Sequence, residues 1–257
     1  MPLKRQKRKK VRKGLPFSLP EGNDKITAMK NIAILFDQDG TLTDSGPGII
    51  RCAKNALQRL GIERSDKELR VFVGPPLKDC FLNQGVKEED LDKAIAYYRE
   101  EYETIGLFEN RPYDGIPEML DTLKKAGYPL FVVTSKDNSI ALRILEHYDL
   151  LKYFLKVYGS NRNQRIPQSK QDLIRKCLLE ENLKPEDTYM IGDTKYDILG
   201  AKGEKVHSIA VFWGYGSKES LIDSRPDRTV KEVKELENLL LSLGSDYQNR
   251  EKESQNM

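Results

Sequence analysis

Residues 32–36 read IAILF and residues 37–41 read DQDGT, and this stretch decides the fold class. Five apolar residues without helical spacing predict a strand buried on both faces, as in parallel sheets covered by helices. Side chains alternate along an extended chain, so Asp37 and Asp39 project to the same side just beyond the strand. Gly40 then permits a sharp turn. The stretch therefore predicts two carboxylates at the carboxyl end of a buried strand.

Two carboxylates this close repel each other strongly in a site of low dielectric constant. A bound cation, or a proton kept on one of them, relieves that repulsion. Either state is useful in catalysis. The alternative interpretation is structural, because an Asp after a strand can form an Asx turn that caps the following helix. Other segments of the chain favour the first interpretation.

The composition is that of a globular protein with a charged surface. The chain has 257 residues, of which 38% are hydrophobic and 32% charged, enough for one large domain or two small ones. No apolar run reaches the roughly 20 residues that a membrane helix needs. The three cysteines are odd in number and far apart, which favours reduced thiols over disulfides or a metal cluster. We therefore expect a cytoplasmic protein.

The first 28 residues differ in charge from the rest of the chain. Residues 4–13 contain eight Lys or Arg and no acid, whereas the remaining chain has 35 basic and 40 acidic residues. Because like charges repel, residues 1–28 are predicted to be a disordered basic extension. Such a segment can contact nucleic acid or an anionic membrane surface. It can equally be an extension ahead of a natural start at Met29, and this alternative stays open.

Helical and strand patterns divide the remaining chain into an α/β core and a helical insert. Residues 47–110 show helical spacing without strand alternation, broken at Gly74-Pro75-Pro76, and predict an all-helical cap domain. From residue 111 onward helices alternate with short apolar strands, which predicts a Rossmann-like parallel sheet with helices on both faces. The predicted core is residues 29–46 and 111–245, followed by a flexible C-terminal tail, residues 246–257.

Polar residues stand at three of the predicted strand ends. Thr134 and Ser135 follow the strand at 130–133, and Asp193 follows the strand at 189–191. In parallel sheets ligands bind beyond the carboxyl ends of the strands. The other predicted strands are residues 32–36, 156–158 and 208–212, and the predicted helices are residues 49–60, 65–71, 77–82, 88–105, 116–126, 139–147, 169–181, 197–202 and 231–243.

In their order along the chain, these motifs resemble those of the haloacid dehalogenase superfamily, most of whose members are magnesium-dependent phosphatases. Residues 37–41 match the first motif, Thr134 the second, and residues 192–197, GDTKYD, the fourth. Lys170 is the best candidate for the lysine of the third motif. The alternatives for that lysine are Lys136, Lys152, Lys156 and Lys176. The resemblance covers residues 31–243, nearly everything after the basic extension.

The resemblance implies a chemical role for each matched residue. Asp37 would be the nucleophile that forms an aspartyl phosphate, and Asp39 the general acid and later the base. Thr134 would bind a phosphoryl oxygen, and Lys170 would offset accumulated negative charge.

The resemblance also implies a Mg²⁺ site. Its ligands would be Asp37, Asp193 and the backbone carbonyl of Asp39. Asp197 would be an outer or water-mediated ligand. The alternative for Asp193 and Asp197 is that they simply begin a helix, where acids favour the dipole. Residues 213–216, WGYG, could border the site or serve only in packing.

The insert resembles the helical cap of the phosphoglycolate phosphatase and β-phosphoglucomutase branch. Hinges near residues 45–48 and 111–115 would let such a cap close over the site. Gly74, Pro75 and Pro76 match the position of the cap's substrate-specificity loop, and Ser135 is a weaker candidate contact. The cap loop carries no arginine that could read a second anionic group, so the substrate stays open.

The leading hypothesis is a magnesium-dependent phosphatase acting on a small phosphorylated metabolite, such as phosphoglycolate or a nucleoside monophosphate. Asp39 argues against dehalogenation, since dehalogenases lack the second aspartate. A sugar-phosphate mutase of the same fold is an alternative. A non-catalytic protein that uses residues 4–13 to bind nucleic acid or a membrane surface is another.

Overall fold

The computed structural model describes residues 32–161 and 168–255, with the backbone alone for residues 245–255. The predicted basic extension, residues 1–28, lies outside the described residues. The strands form one parallel six-stranded sheet in the order β3-β2-β1-β4-β5-β6. Their bounds are β1 Ala33–Phe36, β2 Leu130–Asp137, β3 Lys156–Ser160, β4 Thr188–Gly192, β5 His207–Val211 and β6 Arg228–Val230. The predicted parallel sheet is confirmed.

Helices cover both faces of this sheet. Those of the core are α5 Ile116–Lys125, α6 Asn138–His147, α7 Lys170–Glu180, α8 Lys195–Gly203, α9 Lys218–Asp223 and α10 Val233–Gln255. Ile34 and Phe36 of β1 pack with α5, α6 and α10, while Ala33 and Leu35 pack with α7 and α8. Burial on both faces explains the uninterrupted apolar sequence of β1. Among the described residues, no helix combines the length and apolar character needed to cross a bilayer.

The insert after β1 is helical, as predicted, and has a core of its own. Its helices are α1 Gly46–Gln58, α2 Asp66–Leu69, α3 Leu77–Asn83 and α4 Leu91–Tyr102. Phe81 lies edge-on to Phe72 and Tyr98, with ring centroids 5.0 and 6.3 Å away. Ile140 and Ile144 of α6 belong to the same cluster. The cap therefore packs directly on the core domain through α6.

The two chain segments that join cap and core lie side by side. Thr43 forms a β-bridge with Pro112, and the N–H of Asp44 donates to the carbonyl of Arg111 at 2.7 Å. The predicted hinges, near residues 45–48 and 111–115, fall at or next to this paired crossing. Any movement of the cap on the core would pass through this narrow junction.

The C-terminal region differs from the sequence prediction in two ways. Helix α9 and strand β6 lie between β5 and α10, where neither was predicted. Strand β6 has three residues, of which Val230 alone is buried, so its sequence carries no alternating pattern. Helix α10 reaches Gln255, beyond the predicted end at residue 243 and through most of the predicted tail. The residues after 243 are largely polar and give no periodic signal of a helix.

Candidate active site

The turn after β1 delivers the first two candidate residues to the edge of the sheet. Asp37 and Asp39 are both buried, with 5% and 7% of their surface exposed. Gly40 adopts φ +83°, a conformation that favours glycine. The residue that precedes α1 is Ser45, so neither aspartate caps this helix. The alternative of an Asx turn that caps the next helix is therefore wrong.

Three buried carboxylates meet at this edge. Asp37 follows β1, Asp193 follows β4, and Asp197 lies in the first turn of α8. One carboxylate oxygen from each lies within 4.8 Å of the others. Asp193 and Asp197 are completely buried. The sheet thus brings together the acids of the first and fourth motifs, which are more than 150 residues apart in the chain.

Asp197 also has a structural role in its own helix. Its Oδ2 accepts hydrogen bonds from the N–H and the hydroxyl of Thr194, at 3.0 and 2.7 Å. This capping box fixes the first turn of α8. The helix-start interpretation therefore applies to Asp197, and the same residue belongs to the acidic cluster.

Lys170 is the lysine that the fold brings to these acids. It is the first residue of α7, whose start is fixed by a capping box between Ser169 and Asp172. Its Nζ lies 2.7 Å from Asp37 Oδ1 and 2.8 Å from Asp197 Oδ1. Burial by itself would lower the pKa of Lys170, but attraction to the two carboxylates outweighs this and raises it. Lys170 is therefore a fixed positive charge beside Asp37.

The acids outnumber the positive charge available to them. Burial raises the pKa of Asp37 to about 7, partly opposed by Lys170. Burial, and then repulsion from Asp197 and Asp37, raises the pKa of Asp193 to about 8. Among the described residues, no lysine or arginine forms an ion pair with Asp193. A buried cluster made entirely of oxygen ligands and short of positive charge fits a hard divalent cation such as Mg²⁺.

The loop after β5 holds Asp193 in place. The Oδ2 atom of Asp193 accepts hydrogen bonds from the backbone N–H groups of Tyr215 and Gly216, at 2.8 and 3.3 Å. Its Oδ1 accepts from the Thr41 hydroxyl at 3.2 Å. A Cβ atom on Gly214 would overlap the Asp193 side chain. Residues 213–216 therefore pack around a member of the acidic cluster.

Asp39 forms its ion pair with a different lysine, Lys136, which the sequence analysis named only as an alternative to Lys170. Its Oδ2 lies 3.0 Å from Nζ of Lys136, which in turn donates to the hydroxyl of Tyr102 at 2.7 Å. Tyr102 ends helix α4 of the cap. The two aspartates of the first motif thus have separate lysine partners, one from α7 and one from β2.

A cavity of about 520 Å³ opens over the acids, between core and cap. Thr134, Ser135 and Lys170 line it from the core, and residues 74–76 line it from the cap, so all six sequence-predicted substrate contacts face one space. Thr134 is buried, and its hydroxyl accepts from the N–H of Lys136 at 3.2 Å. The cap side also includes Ile49, Phe72, Leu77, Lys78, Asp79, Ile95, Tyr98, Arg99, Tyr102 and Glu103.

Arg99 is an arginine of the cap that lies outside the loop considered in the sequence analysis. It lies on α4, 25 residues after the Gly74 loop, and its side chain is exposed at the cavity. The sequence analysis considered the loop and did not extend to the helix that faces it. A helical spacing that places Arg99 beside Ile95 and Tyr102 on α4 is the signal that could have found it.

Comparison with known proteins identifies the family of the chain. The sequence profile of the family described as haloacid dehalogenase-like hydrolase matches residues 34–211. A 5'-nucleotidase of Pseudomonas aeruginosa is 40% identical over 217 residues, covering 84% of this chain and 98% of that protein. A phosphoglycolate phosphatase of Vibrio parahaemolyticus is 31% identical over 215 residues, covering 79% of this chain and 93% of that protein.

A solved structure is similar to the chain as well. The crystal structure of a predicted phosphatase from Clostridium acetobutylicum matches with a TM-score of 0.78 and 40% identity, covering 82% of this chain and 98% of that one. The chain belongs to the haloacid dehalogenase-like hydrolases. It is an enzyme of the phosphatase type within that family, which confirms the resemblance and the predicted enzyme class.

Proposed function

We propose that this protein is a magnesium-dependent phosphatase that hydrolyses a small phosphomonoester through an aspartyl phosphate on Asp37. The observation that carries the proposal is the position of Asp37. It lies at the end of the central strand, beside Lys170 and within the cluster that includes Asp193 and Asp197. Phosphoryl transfer depends mainly on positioning and on neutralising charge, and this arrangement supplies both.

Mg²⁺ would be held by Asp37, Asp193 and the backbone carbonyl of Asp39, with Asp197 as an outer ligand. When bound, the ion would neutralise charge on the phosphoryl oxygens and favour the ionised form of these acids. The raised pKa values of Asp37 and Asp193 support this assignment, because they show how poorly the cluster tolerates its own charge without a cation.

The chain's own residues would perform the chemistry. Asp37 attacks phosphorus, forming the Asp37–phosphate bond as the bond from phosphorus to the leaving oxygen breaks. Asp39 donates a proton to that oxygen, and it later removes a proton from the water that hydrolyses the intermediate. Thr134 donates a hydrogen bond to a phosphoryl oxygen, and Lys170 offsets the negative charge.

The cavity supports a substrate larger than a two-carbon phosphate. Pockets of roughly 300–1,000 Å³ hold drug-sized ligands, and the volume here, about 520 Å³, falls within that range. Phe72, Ile95 and Leu77 offer apolar contacts on the cap side. These features favour a nucleoside monophosphate over phosphoglycolate as the preferred substrate, and they agree with the 5'-nucleotidase relative.

The test is phosphate release by the purified chain from a panel of nucleoside monophosphates, sugar phosphates and phosphoglycolate, with Mg²⁺ and with EDTA. We expect Mg²⁺-dependent release that falls by on the order of 10⁴-fold in Asp37→Asn, since that change removes the nucleophile. Asp92→Asn, exposed on α4, is the matched control and should retain activity. Persisting activity in Asp37→Asn would contradict the proposal, and transfer of phosphate between sugars without net release would indicate the mutase.

A further inference from the structure

We propose that Lys136, held by Tyr102 of the cap, is a positioning residue that orients Asp39 for proton transfer. The inference rests on the proposed function, because it concerns the residue assigned there as general acid and base. Its consequence is that the cap sets the reactivity of a core residue through one buried contact. Neither Lys136 nor Tyr102 was assigned a role by the motifs.

An irregularity in β2 brings Lys136 to this position. Thr134 pairs with Gly159 and Asp137 with Ser160, so three steps along β2 correspond to one step along β3. Such a bulge bends the strand and redirects side chains near active sites. A Cβ atom on Gly159 would crowd Asn138 and the Lys136 carbonyl. The chain therefore accommodates the bulge with a glycine on the neighbouring strand.

Lys136 contacts one of the two carboxylate oxygens of Asp39. Lys136 Nζ lies 3.0 Å from Oδ2, and the two side chains are only 9% and 10% exposed. Oδ1 is buried and, within the described part of the chain, has no hydrogen-bond partner. A buried carboxylate oxygen without a partner is costly unless a ligand supplies one. Lys136 thus fixes Oδ2 and, through it, the orientation of the Asp39 carboxylate.

Tyr102 fixes Lys136 in turn. The Lys136 ammonium donates to the Tyr102 hydroxyl at 2.7 Å and lies 4.8 Å from the centre of the ring. The ring of Tyr102 stacks on Tyr98, with centroids 5.1 Å apart, so the cap core holds it in turn. Burial raises the pKa of Tyr102, which keeps it a neutral phenol that can accept this bond.

The link crosses from one domain to the other. Tyr102 belongs to the cap, whereas Lys136 and Asp39 belong to the core. Lys136 has the Tyr102 contact only while α4 lies against the core. Proton transfer by Asp39 is therefore efficient when the cap is docked and impaired when it is not.

Lys136 could instead bind the transferring phosphate, and the two roles predict different kinetics. A lysine that bound the transferring phosphate directly would assist every substrate equally, whatever the leaving group. A lysine that positions the general acid assists most when the leaving oxygen needs a proton. Leaving-group dependence therefore separates the two roles.

The experiment compares phenyl phosphate with p-nitrophenyl phosphate, which are similar in size but differ in leaving group. The value of kcat/KM reports steps through departure of the leaving group, so the later role of Asp39 as base does not enter. For phenyl phosphate we expect kcat/KM to fall by about 100-fold in Lys136→Met and about tenfold in Tyr102→Phe. For p-nitrophenyl phosphate both losses should be at least fivefold smaller. Asp39→Asn should show the same pattern.

Tyr97→Phe is the matched control, because it removes a hydroxyl from the same helix at a residue outside the cavity. It should leave kcat/KM for both substrates unchanged. In the Lys136→Met background, Tyr102→Phe should have no further effect, since the two side chains act as one unit. The midpoint for Mg²⁺ activation should be unchanged in the single variants.

Equal losses on the two substrates, or multiplicative losses in the double variant, would overturn the inference. So would a Tyr102→Phe variant that behaves like Tyr97→Phe. These outcomes concern the link alone, because the proposed function is tested separately by the dependence of wild-type turnover on Mg²⁺ and on Asp37.

Discussion

The core and the cap face the same cavity with different chemistry. The core presents buried charges whose partners are fixed, such as Asp37 with Lys170 and Asp193 with the loop at 213–216. The cap presents aromatic and apolar side chains together with charged ones that include Lys78, Asp79 and the exposed Arg99. Under the proposed function, the core would carry out the reaction, and the cap would select the substrate and position the core. Changes at Asp37, Lys170 and Asp193, which do not act on the leaving group, should therefore affect all substrates alike, and changes at the substrate-facing residues of the cap should not.

After Asp37→Asn, the largest effect should come from Asp193→Asn. The amide can still accept from Tyr215 and donate to Thr41, so the loop should keep its structure, but it lacks the charge that holds a divalent cation. We expect kcat/KM to fall by about 1,000-fold or more for every substrate. Activity as a function of Mg²⁺ concentration measures this. Asp187→Asn, outside the site, should behave as wild type. An Asp193→Asn variant with wild-type kcat/KM at every Mg²⁺ concentration would show that Asp193 is dispensable.

The core residues of the site were predictable because strand ends are encoded locally. An apolar run followed by DQDGT places Asp37, and a shorter run followed by GD places Asp193, whatever the rest of the fold does. Lys170 could be chosen among five lysines because Ser169 and Asp172 mark a helix start at that residue. These signals depend on neighbours within a few positions.

The residues that sequence reasoning missed depend on contacts between distant segments. The direction of Lys136 follows from a bulge between β2 and β3, and an irregular register leaves no period in the sequence. Tyr102 and Arg99 reach the site because the cap packs on α6, which periodicity within α4 does not reveal. Strand β6 was missed for a simpler reason, since three residues are too few to show alternation.

A substitution in α7 tests the uniformity expected of the core. Lys170→Met removes the cation that pairs with Asp37 and Asp197, so we expect kcat/KM to fall by about 100- to 1,000-fold. The loss should be the same, within about threefold, for nucleoside monophosphates and phosphoglycolate. Steady-state kinetics on both substrates measures this. Lys176→Met, exposed on the same helix, is the control, and a loss restricted to one substrate would contradict the division between core and cap.

Without metal, the protonation of Asp193 should make the free energy of unfolding fall as pH rises. Its pKa is near 8 when folded, above the value of about 4 in an unfolded chain. The folded state therefore holds an extra proton between these values, and the free energy of unfolding falls as pH rises from about 4 to 8. Asp193→Asn removes that penalty. At pH 8.5 in EDTA the variant should be more stable than wild type by on the order of 2 kcal/mol.

Urea unfolding in EDTA at pH 5 and pH 8.5 measures this difference. At pH 5 the two proteins should differ little, because Asp193 is protonated in the folded wild type. Added Mg²⁺ should stabilise wild type and leave the variant unchanged. A metal-free wild type that is as stable as the variant at pH 8.5 would show that the acidic cluster tolerates its charge.

The smallest effect should come from the cap, at Arg99. This side chain is exposed at the cavity, and an exposed charge contributes about 1 kcal/mol or less to an interaction. Arg99→Ala should raise KM about fivefold for phosphoglycolate, whose leaving group carries a carboxylate, with kcat nearly unchanged. For a nucleoside monophosphate, whose leaving group is neutral, KM should change less than twofold. Lys93→Ala, on α4 but outside the cavity, controls for the loss of positive charge. Equal changes in KM for both substrates would mean that Arg99 acts on the phosphate, and the cap would then share the task assigned to the core.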